Sequence, residues 1–164
     1  MNLLQHTVAQ IAPLDQEAVK AMQKRLERLT KGTGALGRLE AMLLQYAGII
    51  GGTEWKAPAN CMVVASADHG VARREVSAYP IETTAQMTVN YVVSRGASAN
   101  ALANFSRSDM AVVDCGVASD LSAVPGLWHR KIAYGTRDFT VGPAMTREEA
   151  VRALDIGIEV VREE

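Results

Sequence analysis

The sequence has 164 residues, 48% of them hydrophobic and 21% charged, with 17 basic side chains against 18 acidic ones. That composition excludes a disordered chain. The near-balanced charge excludes a bulk field that would gather nucleic acid or an anionic membrane, so neither partner is expected. Aromatic residues make up only 5%, which leaves the core to Leu, Ile, Val, Ala and Met; the seven Met suit an adaptable pocket wall. Cys61 and Cys115 lie far apart in apolar stretches and read as buried free thiols rather than a disulfide. His6, His69 and His129 share no metal-ligand spacing, so no metal site is expected. The start MNLLQHTVAQ lacks a basic region and an unbroken apolar core, and no apolar run is long enough to span a bilayer. A cytoplasmic protein is the expectation.

The first fifty-odd residues read as helical. Asp15 is a candidate N-cap, followed by an apolar face of Val19, Met22, Leu26 and Leu29. Lys20, Lys24, Arg25 and Arg28 fall off that face and read as solvated surface. Lys31-Gly32-Thr33-Gly34 breaks the helix. A second helix carries Leu36, Leu39, Leu43, Tyr46 and Ile50 and ends at Gly51-Gly52. Cys61 to Ser66 is a short apolar run, read as a strand buried on both faces. It stops at Asp68-His69-Gly70, and a polar loop runs to Pro80. Glu82 to Ser94 reads as a helix with Gln86, Thr88 and Asn90 on its polar side, and Ala97 to Phe105 as another. Met110 to Val113 is a second strand, ending at Asp114-Cys115-Gly116. His129 to Ala133 is a weaker third. In the last helix Thr146 and Glu149 form a capping box, and Val151, Leu154, Ile158 and Val161 form its apolar stripe.

Helices first and strand–helix alternation afterwards indicate an α/β fold with a parallel sheet. Three strands with this many helices read as the first half of a larger α/β domain. In such sheets ligands bind beyond the C-terminal strand ends, where both Asp-x-Gly segments fall. Asp68 there can accept a hydrogen bond from a sugar hydroxyl or ring N–H, and His69 can exchange a proton near neutrality; alternatively Asp68 caps a turn and His69 packs on a loop. Gly70 permits close backbone approach. Tyr79, Gln86 and Met87 can line a flat apolar slot with one polar handle, suited to an aromatic heterocycle; alternatively the Tyr and Met fill core space. Thr33 to Arg38 lacks the lysine-Ser/Thr ending of a phosphate loop, and Arg38 is expected to pair with Glu40 or a neighbour. Gly135-Thr136-Arg137-Asp138 reads as a turn carrying an Arg. No Ser-His-Asp or Cys-His arrangement is legible.

Six segments in order carry a family resemblance: Gly34 to Glu40, Ala67 to Val71, Ser77 to Pro80, Thr84 to Met87, Val113 to Val117 and Gly142 to Met145. From about Asp15 onward the chain resembles the nicotinate-nucleotide–dimethylbenzimidazole phosphoribosyltransferases of cobalamin lower-ligand assembly. The resemblance implies transfer of the 5-phosphoribosyl group of nicotinate mononucleotide to dimethylbenzimidazole, giving α-ribazole 5′-phosphate and nicotinate, with no cofactor. It implies a Rossmann-like domain from residue 56 onward, a small helical domain contributed by residues 1–55, and a homodimer. It also implies chains of roughly twice this length, with the catalytic glutamate and a glycine-rich phosphate loop in the second half. What carries over here is one wall of the base pocket: Asp68, His69, Tyr79, Gln86 and Met87. No residue of this chain is assigned as catalytic base; Glu82, the carboxylate nearest that wall, is not promoted to it. The implied alternative is an inactive half or a benzimidazole-binding module that needs a separate C-terminal half.

Overall fold

The computed structural model describes residues 2–56 and 59–163. The chain divides into two compact units, Gln5–Pro58 and a second comprising Met1–Leu4 with Ala59–Glu164.

In the helical unit, a short α1 (Leu3–Ala9) that begins in the other unit carries no buried residue. Helices α2 (Gln16–Glu27) and α3 (Arg38–Ile50) make the unit's core. Asp15 caps α2 as its position foretells, its Oδ1 accepting from the N–H of Glu17 and Ala18 at 2.9 and 3.0 Å. Met22 and Leu26 meet Ala47, with Leu43, Leu44 and Trp55 around them. The helices approach closely because Gly48 lacks a side chain: a Cβ there would lie 2.8 Å from Val19 Cγ2. Gly51, at φ 70°, ends α3. Four apolar residues depart from the expected stripes. Leu29 lies beyond the end of α2, Leu36 and Leu39, at the entry to α3, stand about half exposed, and Ile50, the last residue of α3, is exposed as well. Glu40 pairs with Lys31 at 2.8 Å rather than with Arg38, because Lys31 comes back alongside the first turn of α3.

The second unit is a three-stranded parallel sheet in the order β1-β2-β3: β1 (Cys61–Ala67), β2 (Asp109–Gly116) and β3 (Trp128–His129). Helix α4 (Glu82–Val89), a widened turn over Asn90–Ser94, and α5 (Ser98–Ser106) connect β1 to β2. Helix α6 (Arg147–Glu163) follows β3. One sheet face packs Val112 and Val64 against Ala85 and Val89 of α4 and against Val117, Leu121 and Leu127 of the β2–β3 connection. The other packs Val113 and Trp128 against Ile156 and Val160 of α6. The sheet is thus covered from two sides at β2, whose Ala111, Val112 and Val113 are all buried.

Several expectations change here. Strand β1 is not buried on both faces: it is the sheet edge, and Cys61, Val63 and Ala65 are exposed because α6 covers β2 and β3 instead. Cys61 is therefore an exposed thiol, while Cys115 is half-buried; neither forms a disulfide. The third strand is two residues long, because the following chain turns to bring Lys131 against Asp114. Thr88 is buried, not on a polar face; its hydroxyl donates to the Thr84 carbonyl at 2.7 Å. The buried stripe of α6 is Ile156 and Val160, whereas Leu154 and Val161 are 54% and 74% exposed. The capping box of α6 forms as its spacing requires: Thr146 N–H donates to Glu149 Oε2 at 2.6 Å, and Glu149 N–H to Thr146 Oγ1 at 3.1 Å.

Candidate functional site

Both Asp-x-Gly segments sit at the C-terminal ends of adjacent parallel strands. The register slips by one residue between Ser66 and Ala67, so Cys115 is the extra residue on β2. Past this slip the chains leave the sheet and wind around two buried carboxylates.

Asp68 is 5% exposed, and its Oδ2 accepts from the Ala118 N–H at 2.7 Å. Its backbone N–H donates to the Gly116 carbonyl and its carbonyl accepts from Thr136 N–H, both at 3.0 Å. Asp68 thus does cap, but across strands, tying the exits of β1, β2 and β3. Asp114 is 1% exposed; its Oδ1 accepts from the N–H of Gly116 and Val117, and its Oδ2 pairs with Lys131 Nζ at 2.8 Å. Lys131 also donates to the carbonyls of Val117 and Ser119 and lies 4.6 Å from the centre of the Tyr134 ring. Asp114 is thus both paired and hydrogen-bonded, as the cost of burying an unpaired charge requires.

His69 follows Asp68 in extended conformation and is exposed at the head of a short 3-10 turn, Gly70–Arg74. Gly70 does give the close approach expected of it. A Cβ there would sit 2.6 Å from backbone atoms of Thr136, Arg137 and Asp138, so only glycine lets the two loops touch. Arg74 pairs with Asp138 across the same contact. Hydrogen bonds from Thr140, then from Arg74, hold the Asp138 carboxyl down to about 2. Arg137 reaches the other way, bonding Glu149 Oε2 at 2.7 Å and lowering that carboxyl below its ordinary range. Burial, and then the Asp114 charge, push the Cys115 thiol up.

Two cavities flank the Asp68–His69 corner. One, of about 530 Å³, lies on the α4 side; Asp68, His69, Tyr79, Met87 and Tyr91 line it. Tyr79 is 72% exposed, so it fills no core space. Gln86 stands exposed on α4, outside the lining of this cavity, as does Glu82. The other cavity, of about 420 Å³, lies on the α6 side and is lined by Cys115, Ile132, Tyr134, Arg137, Met145 and Glu149 with the same Asp68 and His69. In the sequence this second group is not legible, because Gly135 to Asp138 reads only as a turn carrying an Arg. The available signal was its place after the third strand, at the same C-terminal edge as the two Asp-x-Gly segments. Among the described residues no cluster of His, Cys, Asp and Glu fits a metal ion, and no helix is long and apolar enough to cross a membrane.

A family model described as "Phosphoribosyltransferase" matches residues 11–164. The chain belongs to that family. Its relatives include a nicotinate-nucleotide–dimethylbenzimidazole phosphoribosyltransferase of Roseiflexus sp. (strain RS-1), 49% identical over 96% of this chain and 44% of the relative. Another of the same name, from Chloroflexus aggregans, is 45% identical over 99% of this chain and 46% of the relative. A crystal structure of the Thermus thermophilus enzyme of that name superposes with a TM-score of 0.85 at 41% identity, covering 92% of this chain and 45% of that one. The chain therefore spans about half the length of these relatives, and it matches their N-terminal half. The parallel sheet with flanking helices is the fold that its α/β pattern and its resemblance both called for.

Proposed function

We propose that this chain forms the acceptor-base side of a phosphoribosyltransferase site that moves the 5-phosphoribosyl group of nicotinate mononucleotide onto 5,6-dimethylbenzimidazole. The observation that carries the reading is the cavity of about 530 Å³ at the C-terminal end of β1, walled by Tyr79 and Met87 with Asp68 and His69 at the corner. A flat ring lies against Tyr79 and Met87, where an aromatic face and a polarisable thioether favour a planar heterocycle over an aliphatic ligand. Gln86, one residue before Met87 on α4, stands outside that lining, so the ring contacts are assigned to Tyr79 and Met87.

In the reaction a base takes the benzimidazole N–H proton. The opposite ring nitrogen attacks the anomeric carbon, the glycosidic bond to nicotinate breaks, and the departing ring keeps the electron pair. With Asp68 and Asp114 committed to backbone N–H groups and Lys131, and Glu82 outside the cavity lining, this chain holds and orients the base. The glutamate that removes the proton comes from the second half of the family's chain. The working unit is a cytoplasmic homodimer, which sedimentation of the full-length enzyme checks.

The half-length match favours a second form of the same reading, a base-binding half that turns over only with a C-terminal half supplied. The test uses chain of verified 164-residue mass, with nicotinate mononucleotide and dimethylbenzimidazole. We expect no α-ribazole 5′-phosphate from it alone, and saturable dimethylbenzimidazole binding by calorimetry that Tyr79→Ala weakens about tenfold, the loss of one stacking face. Product from the isolated chain would overturn the placement of the base outside it. Absence of binding heat, or binding indifferent to Tyr79→Ala, would overturn the pocket wall.

A further inference from the structure

Two carboxylates, Asp68 and Glu149, line the cavities that flank the strand ends, and they differ in what holds them. Glu149 has Arg137 at 2.7 Å. Asp68 is 5% exposed, yet it has no cation partner among the described residues. Lys131 and Arg74 are taken by Asp114 and Asp138. The Ala118 N–H donates to Asp68 Oδ2 at 2.7 Å, which leaves Oδ1 without a hydrogen bond among the described residues. No side-chain oxygen among them is both fully enclosed and unbonded, so Oδ1 reaches open space. The open space that Asp68 borders is the two cavities. A buried carboxylate with one bare oxygen and no counter-charge calls for a partner that arrives with a ligand. The group is also held in place beforehand. Its backbone N–H and C=O are both bonded, at 3.0 Å, to Gly116 and Thr136.

The reaction proposed above sets two flat rings on opposite sides of one carbon. The acceptor nitrogen attacks the anomeric carbon from one side as the pyridine nitrogen leaves from the other. Ala67, Asp68 and His69 belong to both linings. With the acceptor ring against Tyr79 and Met87 on the α4 side, the α6 side offers the leaving ring Tyr134 and Met145, and the anomeric carbon falls at the shared corner. Charge moves along the same line. The donor begins as a pyridinium, and the breaking C–N bond leaves its electron pair on the ring nitrogen. Positive charge then sits on the ribosyl carbon and ring oxygen until the new C–N bond forms, and the acceptor's proton goes to the base outside this chain. A fixed anion at that carbon favours the transition state over the bound substrate.

We propose that Asp68 is a catalytic residue of the transfer: its Oδ1 faces the ribosyl ring between the two cavities and offsets the positive charge that develops there. Asp68 takes no proton and stays ionised throughout. The inference rests on the reaction proposed above and adds to it a group that this chain supplies to the chemical step.

The test uses the 164-residue chain, isotopically labelled for amide spectra, and two probes. One is an iminoribitol, whose protonated ring nitrogen replaces the ribose ring oxygen and mimics the transferring sugar. The other is the anhydroribitol of the same shape, which keeps the oxygen and is neutral. We expect the chain to bind the iminoribitol at least about tenfold more tightly, as a charge-assisted contact requires. Binding should also move the amide signal of Ala118, which shares the Asp68 carboxyl. Asp68→Asn keeps an oxygen for the Ala118 N–H and removes the charge, so it should bring the two probes to equal affinity. The inference is overturned if the parent chain does not prefer the cation, if the preference leaves the Ala118 amide unmoved, or if it survives Asp68→Asn. Should that variant fail to fold, the two measurements on the parent chain decide. Dimethylbenzimidazole binding without a preference for the cation overturns the role of Asp68 and leaves the pocket wall standing. A preference for the cation without dimethylbenzimidazole binding upholds that role and counts against the proposed acceptor alone.

Discussion

Asp114 and Lys131 show how one buried ion pair shapes the strand ends. The carboxylate is 1% exposed and accepts two backbone N–H groups besides the ammonium. Removing only the cation leaves a buried, under-compensated charge, a change that costs about 3–5 kcal/mol in such settings. Lys131→Met should therefore lower the denaturant midpoint of the α/β unit strongly at neutral pH. Adding Asp114→Asn to it should recover part of the loss, since the amide needs no counter-charge. If the single variant unfolds like the parent, the pair contributes nothing net. His69, by contrast, is exposed between two cavities and is open to a role in binding.

Among the elements, the ends of the helices carry the sharpest local strain. Helix α5 closes on Arg107 at φ 54°, a left-handed conformation that glycine adopts without steric cost. The N–H of Arg107 already donates to the carbonyls of Ala103 and Asn104, so a glycine keeps the cap and loses only the Cβ clash. Arg107→Gly should raise stability by about 0.5–1 kcal/mol, read as a higher unfolding midpoint in thermal or denaturant scans. An unchanged or lower midpoint would mean that the greater freedom of glycine in the unfolded chain outweighs the relief. At the start of the same helix, Asn100 Oδ1 accepts from the Ala97 N–H at 3.3 Å; with alanine at the cap, only this half of a capping box can form.

For the whole α/β unit, acid is the condition that separates its loops. Asp138, at about 2, and Glu149, lowered by Arg137, hold the 135–149 segment to the Gly70–Arg74 turn and to α6. A carboxyl whose folded pKa lies below its unfolded value contributes stability above the unfolded value, near 3.8 for Asp138, and loses it as pH falls through the folded one. The denaturant midpoint should thus decline between about pH 4 and pH 2, and Asp138→Asn should flatten that decline. A variant that tracks the parent across this window would show that the loop contact does not couple to folding.

Sequence alone determined the features that close over three or four residues. Asp15, Gly51 and the Thr146–Glu149 box end or start their helices where they stand, because each bonds a backbone group within its own turn. The two apolar strands were legible too, as short β-branched runs between turn signals, and with them the parallel α/β class. What required the tertiary structure lies across large separations. Val151, Leu154, Ile158 and Val161 keep helical spacing as well as Ile156 and Val160 do, and only the position of the sheet decides which stripe is buried. The edge status of β1 depends on where α6 crosses, not on the residues of β1. Asp68 is read as a ligand or a cap from its neighbours, but its partner Ala118 lies fifty residues away. Gly70 signals close approach, while the backbone it admits, Thr136 to Asp138, is fixed only when the loops meet. Local hydrogen bonds are written in adjacent residues; the faces that helices bury and the partners of strand-end carboxylates are set by packing between segments remote in sequence.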